Sequence, residues 1–446
     1  LTAESVADAQ IDRFPFVLLP RTLQGCGSLP FPRRIEPFGS VMRAPALARA
    51  PEFYGVRDPV KELVELSQRW QITGRGGAGF PFWKKLSAVS DKTSIFSRPF
   101  VVVNLTESEP LSFKDRFIKT YYLELVLEGA VLASKALRAE AIYVASHYEK
   151  GESDALSDYV KGYAAARGVK IETVAMRKAL VSGQETSIVN AINGRVPLPR
   201  VQPPRLSEKG VKSRPTLLSN AETYLRVAQA KRLESIGDHV DPKMALGYLG
   251  TIHLKTGESY IVESHPSMSV AEIMGSLGAP LNESSLYLVG GYFGRLFQGK
   301  DARLYAPISR SKREGGAGWG AGLVVELERQ GCVAAELGFL IRWLSLQSAG
   351  QCGPCKFGLP QISNEFDNMV TQATGSIELI RRWKGQIKGR GGCALPDSVC
   401  DLESSFEEVT LEELSLHQAG NCDRAYERIF EGLHMSFYGK VDPYGG

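Results

Sequence analysis

The sequence predicts three kinds of fold in succession: an α/β sheet, a small α+β module and a helical C-terminal region. Three observations lead there. Apolar, strand-like runs alternate with helical periodicity between about residues 100 and 192. Short strands flanking a single helix follow from about residue 246. From Val333 the pattern is mainly helical and holds most of the cysteines.

Residues 1–54 are rich in Pro, Arg and small apolar residues, show no sustained period, and read as an extended arm. A helix begins after Asp58, an N-cap residue followed by Pro59 at the first helical position, with Val60, Leu63, Val64 and Leu66 on one face. Beyond the Gly-rich ITGRGGAGFPFWKK come the apolar run Phe100–Val103, a helix around Tyr122–Leu137 and the strand-like Ala141–Tyr148. A helix around Ser153–Ala166, a strand Val169–Met176 and a helix from about Glu185 complete the alternation, and 55–245 is read as one α/β domain. Residues 195–217 read as loop, with four prolines between Pro197 and Pro204, and helical character returns at Ala221–Leu233. The module over 246–332 has strands at Tyr248–Leu254, Ser259–Val262 and Leu286–Val289 and a helix at Val270–Leu277. The helical region spans 333–446, and its tail, Leu411–Phe437, is a docking surface or a segment packed on its own domain.

A length of 446 residues fits two to four domains, and 43% hydrophobic with 23% charged residues excludes a disordered or fibrous chain. With 53 Lys+Arg against 49 Asp+Glu, a net charge of +4 gives no support for nucleic-acid binding. The most apolar stretch, Cys332–Leu346, is broken by Glu336 and Arg342 and is shorter than the ~20 residues a bilayer needs. No secretory signal is legible, and seven cysteines, an odd number, argue against a secreted disulfide framework. A reducing cytoplasm is expected.

Five short motifs bear on chemistry. Gly74-Arg75-Gly76-Gly77-Ala78-Gly79 lets backbone N–H groups approach an anion, with Lys84 and Lys85 to neutralise it; its spacing is neither the dinucleotide fingerprint nor a Walker loop, and a plain tight turn competes. Asn104-Leu105-Thr106-Glu107-Ser108-Glu109-Pro110 follows an apolar strand, where ligands bind in open α/β sheets, though a solvated turn reads equally well. Ser182-Gly183-Gln184-Glu185-Thr186 and Leu218-Ser219-Asn220-Ala221-Glu222-Thr223 are N-cap patterns with no necessary function. Finally, Cys352-Gly353-Pro354-Cys355 with Cys393 offers three soft sulfur ligands, for which an iron–sulfur cluster, zinc, a redox disulfide and buried thiols compete.

In their order along about residues 55–400, these motifs resemble the FMN- and iron–sulfur-containing NADH-binding subunit of respiratory complex I, and the related subunits of NAD-linked hydrogenases and formate dehydrogenases. The resemblance implies a Rossmann-like FMN domain, a β-grasp (soluble-ligand-binding) module and a helical iron–sulfur domain. It implies FMN contacts at Gly74, Arg75, Gly76, Gly77, Lys85, Asn104, Glu107, Ser108, Gly183, Glu185, Asn220 and Thr223. Phe80 and Glu109 would contact the nucleotide substrate, and Cys352, Cys355 and Cys393 would hold one 4Fe–4S cluster.

The departures are specific. Ala349 stands where the family's first cluster cysteine would be, so a three-iron cluster or another ligand is implied, with Cys422 preferred over Cys400; Cys26 and Cys332 are taken as structural thiols. Leu105, Thr106 and Leu111 replace Ala, Asp and Gly, Gln184-Glu185 replaces paired glutamates, and Leu180 replaces an aromatic. Gln202-Pro203-Pro204-Arg205 replaces K-P-P-F, Ala88 replaces a second aromatic, and Phe82 and Trp83 narrow the approach to the flavin. Two functions remain. One is an electron-transfer flavoprotein subunit, served by NADH or by a redox subunit or ferredoxin-like carrier in a larger, membrane-associated complex. The other is a structural or assembly subunit that kept the fold and lost NADH chemistry.

Overall fold

The computed structural model describes residues 16–18, 53, 56–147, 152–236, 246–266, 268–302, 305, 320–328, 331–426 and 428–431. Cys26 and all of the 1–54 arm except 16–18 and 53 lie outside them. A short strand, β1 (Phe16–Leu18), comes first, then α1 (Pro59–Arg69), capped as its sequence predicts: the Asp58 carboxylate accepts from the Lys61 N–H at 3.0 Å and Pro59 opens the helix. The glycine-rich turn leads into α2 (Phe82–Ser90).

A parallel four-stranded sheet follows, built from β2 (Phe100–Leu105), β3 (Ala141–His147), β4 (Ile171–Met176) and β5 (Thr216–Asn220) in the order β4-β3-β2-β5. Between the strands run α3 (Lys114–Tyr121), α4 (Leu123–Leu137), α5 (Glu152–Arg167) and α6 (Glu185–Ile192), and α7 (Ala221–Ile236) leaves β5 directly. Alternate residues of β2 serve two cores: Val101, Val103 and Leu105 pack with α1, α4 and α7, while Phe100 and Val102 pack with Ile188 and Val189 of α6. β5 is a correction to the reading of 195–217 as loop and 218–223 as a cap. Its short TLLSN run has no strand periodicity of its own and becomes a strand by pairing along β2, fully buried.

The second sheet contains six strands in the order β1-β7-β6-β10-β8-β9. They are β6 (Tyr248–His253), β7 (Ser259–Ser264), β8 (Leu286–Val289), β9 (Arg295–Gln298), β10 (Leu323–Leu327) and β1, which joins β7 in parallel. Three of these, β1, β9 and β10, are not marked by the sequence; each is only three to five residues long and takes its register from a neighbour. Helix α8 (Val270–Ser276) covers one face with Val270, Ile273 and Met274. The other face meets both neighbours: Ile261 joins the first core, and Leu286, Leu288 and Val325 join the helical core.

That helical region contains α9 (Val333–Leu346), α10 (Leu359–Gln372), α11 (Ile377–Ile387) and α12 (Leu395–Gln418). The tail returns to it: Phe430 is fully buried and stands edge-on to Tyr292, so as far as residue 431 the tail packs on its own chain. Among the described residues no helix is long and apolar enough to cross a membrane.

Helices α4 and α7 meet backbone to backbone. A Cβ at Gly129 would lie 1.9 Å from the Tyr224 carbonyl oxygen, so no larger side chain fits without separating the helices. Gly129→Val is expected to lower stability by about 1–3 kcal/mol or more. An unchanged thermal unfolding midpoint would show that the two helices do not touch there.

Candidate functional site

The sequence motifs converge at the C-terminal ends of β2 and β5. The glycine turn closes on itself through Gly74 N–H to Phe80 O at 2.8 Å, and Gly77 and Gly79 take positive φ. It lies against the start of α7: Arg75 N–H donates to Thr223 Oγ1 at 3.1 Å, and a Cβ at Gly76 would meet Asn220 Cβ at 3.6 Å. Lys85, on α2, spans the same cleft to pair with the Glu185 carboxylate and donates to Leu218 O at 3.1 Å. Asn104 donates through Nδ2 to Gly183 O at 3.0 Å and accepts from the Thr106 hydroxyl at 2.6 Å. Gly183 packs tightly, since a Cβ there would sit 2.0 Å from Ser108 Oγ and force that side chain to move. Gln184 caps α6 by accepting from Thr186 N–H and Ser187 N–H.

Behind the cradle lies a buried charge network. Lys114 Nζ donates to Asp115 at 3.1 Å and Asn220 Oδ1 at 3.3 Å, and lies 3.7 Å from Glu222. Asn220 Nδ2 donates to both Asp115 oxygens at 3.1 Å. Glu222 accepts from Arg226 at 3.0 Å and from the Leu249 N–H at 3.1 Å, and Arg226 reaches Glu263 at 2.6 Å. Burial lifts the Asp115 carboxyl to about 7 against the opposing pull of Lys114. Arg75 stacks its guanidinium 3.2 Å over the Tyr248 ring, and burial lowers its pKa to about 9 although Glu222 works the other way.

Two acidic residues prove to be braces. Glu107 caps α3 by accepting from the Asp115 and Arg116 N–H groups, at 2.5 and 3.2 Å. Glu109, expected at the nucleotide, is instead buried and accepts from Tyr292 N–H at 3.0 Å, tying the first sheet to the second. Phe80 is 44% exposed beside the turn. Phe82 does not narrow the cleft: it is buried in the core, edge-on to Tyr224 at 5.9 Å. Sequence reasoning missed Arg226, whose one signal is its i,i+4 spacing from Glu222, and His147, which has none. The His147 ring bridges Glu107 O and Ser182 Oγ, each at 3.0 Å, holding two strand-end turns together.

Cys352, Cys355 and Cys393 lie near one another, in or against the core that holds Leu180 and Val181. Cys352 and Cys355 interact through their thiols, and Gly392 N–H donates to Cys352. Burial opposes ionisation of Cys352, yet these hydrogen bonds hold its pKa below the usual thiol value, whereas burial and Cys352 push Cys355 up to about 12. The Ser348 hydroxyl is bonded to Cys355. Leu180 N–H donates to Gln347 at 3.2 Å, and Leu180 and Val181 share the apolar core that holds Cys355, so the cradle and the thiol group are packed as neighbours. Cys400 is buried on α12.

Cys422 is not with them. Its thiol lies with Cys332 and His417, the three ligand atoms within 4.8 Å of one another. Cys332 caps the start of α9, whereas Ser348 lies just past its end; the 14-residue helix spans about 21 Å. α10 has the same length and runs from the Cys355 turn to Ala373, beside Gly420. The expected fourth cluster ligand and the expected structural thiol therefore sit together at the opposite end of this helix pair.

The residues fit an anionic flavin nucleotide. Arg75 Nε and Nη1, next to the glycine turn, and Ser108 Oγ, next to Gly183, are buried with no hydrogen-bond partner. Three neighbouring thiols are likewise a soft donor set suited to an iron–sulfur cluster.

Fold and site together define a two-centre redox subunit, and comparison with known proteins agrees. Residues 67–229 match the Nuo51 FMN-binding domain, and residues 335–410 match the NADH-ubiquinone oxidoreductase-F iron-sulfur binding region. The chain thus resembles flavoprotein subunits that contain these two regions in this order. It is 28% identical over 351 residues to the mitochondrial NADH dehydrogenase (ubiquinone) flavoprotein 1 of Dictyostelium discoideum, covering 73% of this chain and 72% of that one. It is 26% identical over 370 residues to an NADH-quinone oxidoreductase subunit of Rhodobacter capsulatus, covering 77% and 83%. A crystal structure of an NAD+-reducing NiFe hydrogenase shares the fold, with TM-score 0.72 at 20% identity, covering 93% of this chain and 72% of that one.

The His147 bridge has a pH signature. Burial lowers its pKa to about 4 despite the bond with Glu107 O, while an unfolded chain titrates near 6.5. The folded state thus resists a proton that the unfolded state accepts. Its contribution is complete above about 6.5, is lost as pH falls toward 4, and levels off below. Relative to His147→Gln, the wild type is expected to lose up to about 1.4 kcal/mol per pH unit across that window. Parallel stability curves for the two proteins between pH 7 and pH 4 would exclude a buried neutral imidazole.

Proposed function

We infer that the chain is an electron-transfer flavoprotein subunit of a multisubunit oxidoreductase, working between FMN and one iron–sulfur cluster. The observation that supports this best is the shared packing of the two sites, the Gly183 turn on one side and Cys355 on the other. Bound FMN supplies the exchange between two-electron and one-electron chemistry. The chain's own residues would position it. The Gly74–Gly77 backbone and Lys85 would face the anionic end, with the Arg75 guanidinium stacked on Tyr248 behind it, and Asn104, Glu185, Asn220 and Thr223 would line the cleft. Glu107 and Ser108 shape its wall.

Cys352, Cys355 and Cys393 would hold the cluster, with Ser348 as an oxygen donor in the same group. The division into a Rossmann-like FMN domain over 55–245, a β-grasp module over 246–332 and a helical iron–sulfur domain over 333–446 follows from this reading. So does a cytoplasmic place among redox subunits of a complex.

The donor is NADH or a partner protein. A weakened nucleotide shelf favours the partner: Leu180 is buried where an aromatic is expected, and residues 202–205 are exposed without the expected aromatic. Losing aromatic stacking worth ~0.5–1.5 kcal/mol per pair lowers NADH affinity by up to about a decade for each. The same observation is what favours the assembly-subunit reading, but that role does not require the glycine turn or the grouped thiols.

Anaerobically purified protein is expected to contain flavin, iron and sulfide, and Cys352→Ala to lose the cluster signal while retaining the flavin. Colourless, iron-free protein would leave only the assembly role. Mixing with millimolar NADH then separates the donors: a bleached flavin band identifies NADH, and an unchanged one a protein partner.

A further inference from the structure

We propose that Cys332, His417 and Cys422 form a zinc site, separate from the cluster cysteines, that clamps the C-terminal tail to the start of α9. The three residues come from places that only the fold unites. Cys332 is the residue before α9, His417 lies in the last turn of α12, and Cys422 follows on the loop that leaves it. Their ligand atoms all lie within 4.8 Å, with His417 Nε2 3.0 Å from Cys332 Sγ. Zinc–sulfur bonds of about 2.3 Å and zinc–nitrogen bonds of about 2.0 Å place tetrahedral ligand atoms roughly 3.5–3.8 Å apart, so a side-chain adjustment that opens the Cys332–His417 contact by about half an ångström admits the ion.

The donor types agree. Two thiols and an imidazole are the soft and borderline ligands that zinc prefers over magnesium or calcium. Cys332 and His417 are buried and Cys422 is half-buried, which encloses the site on two sides and leaves a position for solvent or a fourth ligand at the surface.

The surroundings are already braced as a metal site requires. Glu413 accepts from the Ala334 N–H and from Arg424, each at 2.7 Å, fixing the approach of α12 to α9. Cys332 N–H donates to Ala425 O at 2.7 Å, and Asn421 N–H returns to Leu416 O at 2.9 Å, so the loop bearing Cys422 is folded back onto the site. Beyond it, Glu336 accepts from the N–H groups of Ile429 and Phe430. A zinc ion here would join α9, α12 and the tail at one point, at the end of the helix pair away from Cys352 and Cys355.

The test uses the full chain, purified with its cofactors and without chelators after growth in zinc-supplemented medium. Iron and zinc are counted separately, and zinc-edge X-ray absorption reads the ligands. One zinc per chain with two sulfur and one nitrogen neighbour is expected. Cys422→Ser and His417→Gln should lose the zinc and keep the iron, whereas Cys352→Ala should keep the zinc. The proposal fails if wild-type protein contains no stoichiometric zinc, or if zinc survives in both Cys422→Ser and His417→Gln. It fails equally if zinc disappears in Cys352→Ala instead, or if mass spectrometry of unreduced, alkylated protein finds Cys332 joined to Cys422 as a disulfide. The absorption measurement needs no variant, so poor folding of a mutant does not remove the test.

Discussion

Glu222 has no access to water, and the cradle is built around satisfying it. Its carboxylate faces Lys114 from α3, Arg226 one turn along its own helix, and the Leu249 backbone of the second sheet. Burial alone would raise its pKa; Arg226, Lys114 and Arg75 outweigh that and hold it below the usual carboxylate value. A buried charge without its partner costs roughly 3–5 kcal/mol, so each of these groups fixes the position of the others. Because Asn220 and Thr223 flank Glu222, the network also fixes where β5 ends and where the glycine turn can rest. The cradle is rigid because the charges beneath it have nowhere else to go.

The second sheet is placed to transmit that rigidity. Arg226 reaches Glu263 on β7, Glu109 reaches the Tyr292 N–H just beyond β8, and Tyr248 at the edge of β6 receives the Arg75 guanidinium. The opposite end of the sheet packs on the helical region. The cradle and the cysteine turn are thus referenced to a common scaffold, and their direct contact through Leu180 and Gln347 needs only a short bridge. For a pair of redox centres this matters, because a fixed separation is what the packing supplies.

Much of the alternating α/β region was legible in the sequence because its elements are long and strongly periodic. The Asp58-Pro59 start of α1, the runs of β2 and β3, and the helix α8 each declare themselves within a few residues. β5, β9 and β10 do not, because strands of four or five residues take their identity from a neighbouring strand. Glu107 and Glu109 show the same limit at the site. Their place after a strand marks a turn where a ligand could bind, but that their carboxylates accept from backbone N–H groups depends on segments remote in sequence.

What the sequence determined by itself was the set of motifs, their order and the alanine at 349 where the resemblance implies a cysteine, since these are matters of residue type and spacing. What tertiary structure alone decided was which side chains share a space. Cys422 follows Cys393 in the chain and was grouped with it, yet a helix pair about 21 Å long separates them and delivers Cys422 to Cys332 and His417. Proximity of soft ligands is set by helix length and packing direction, and neither is written in the local sequence around any one of them.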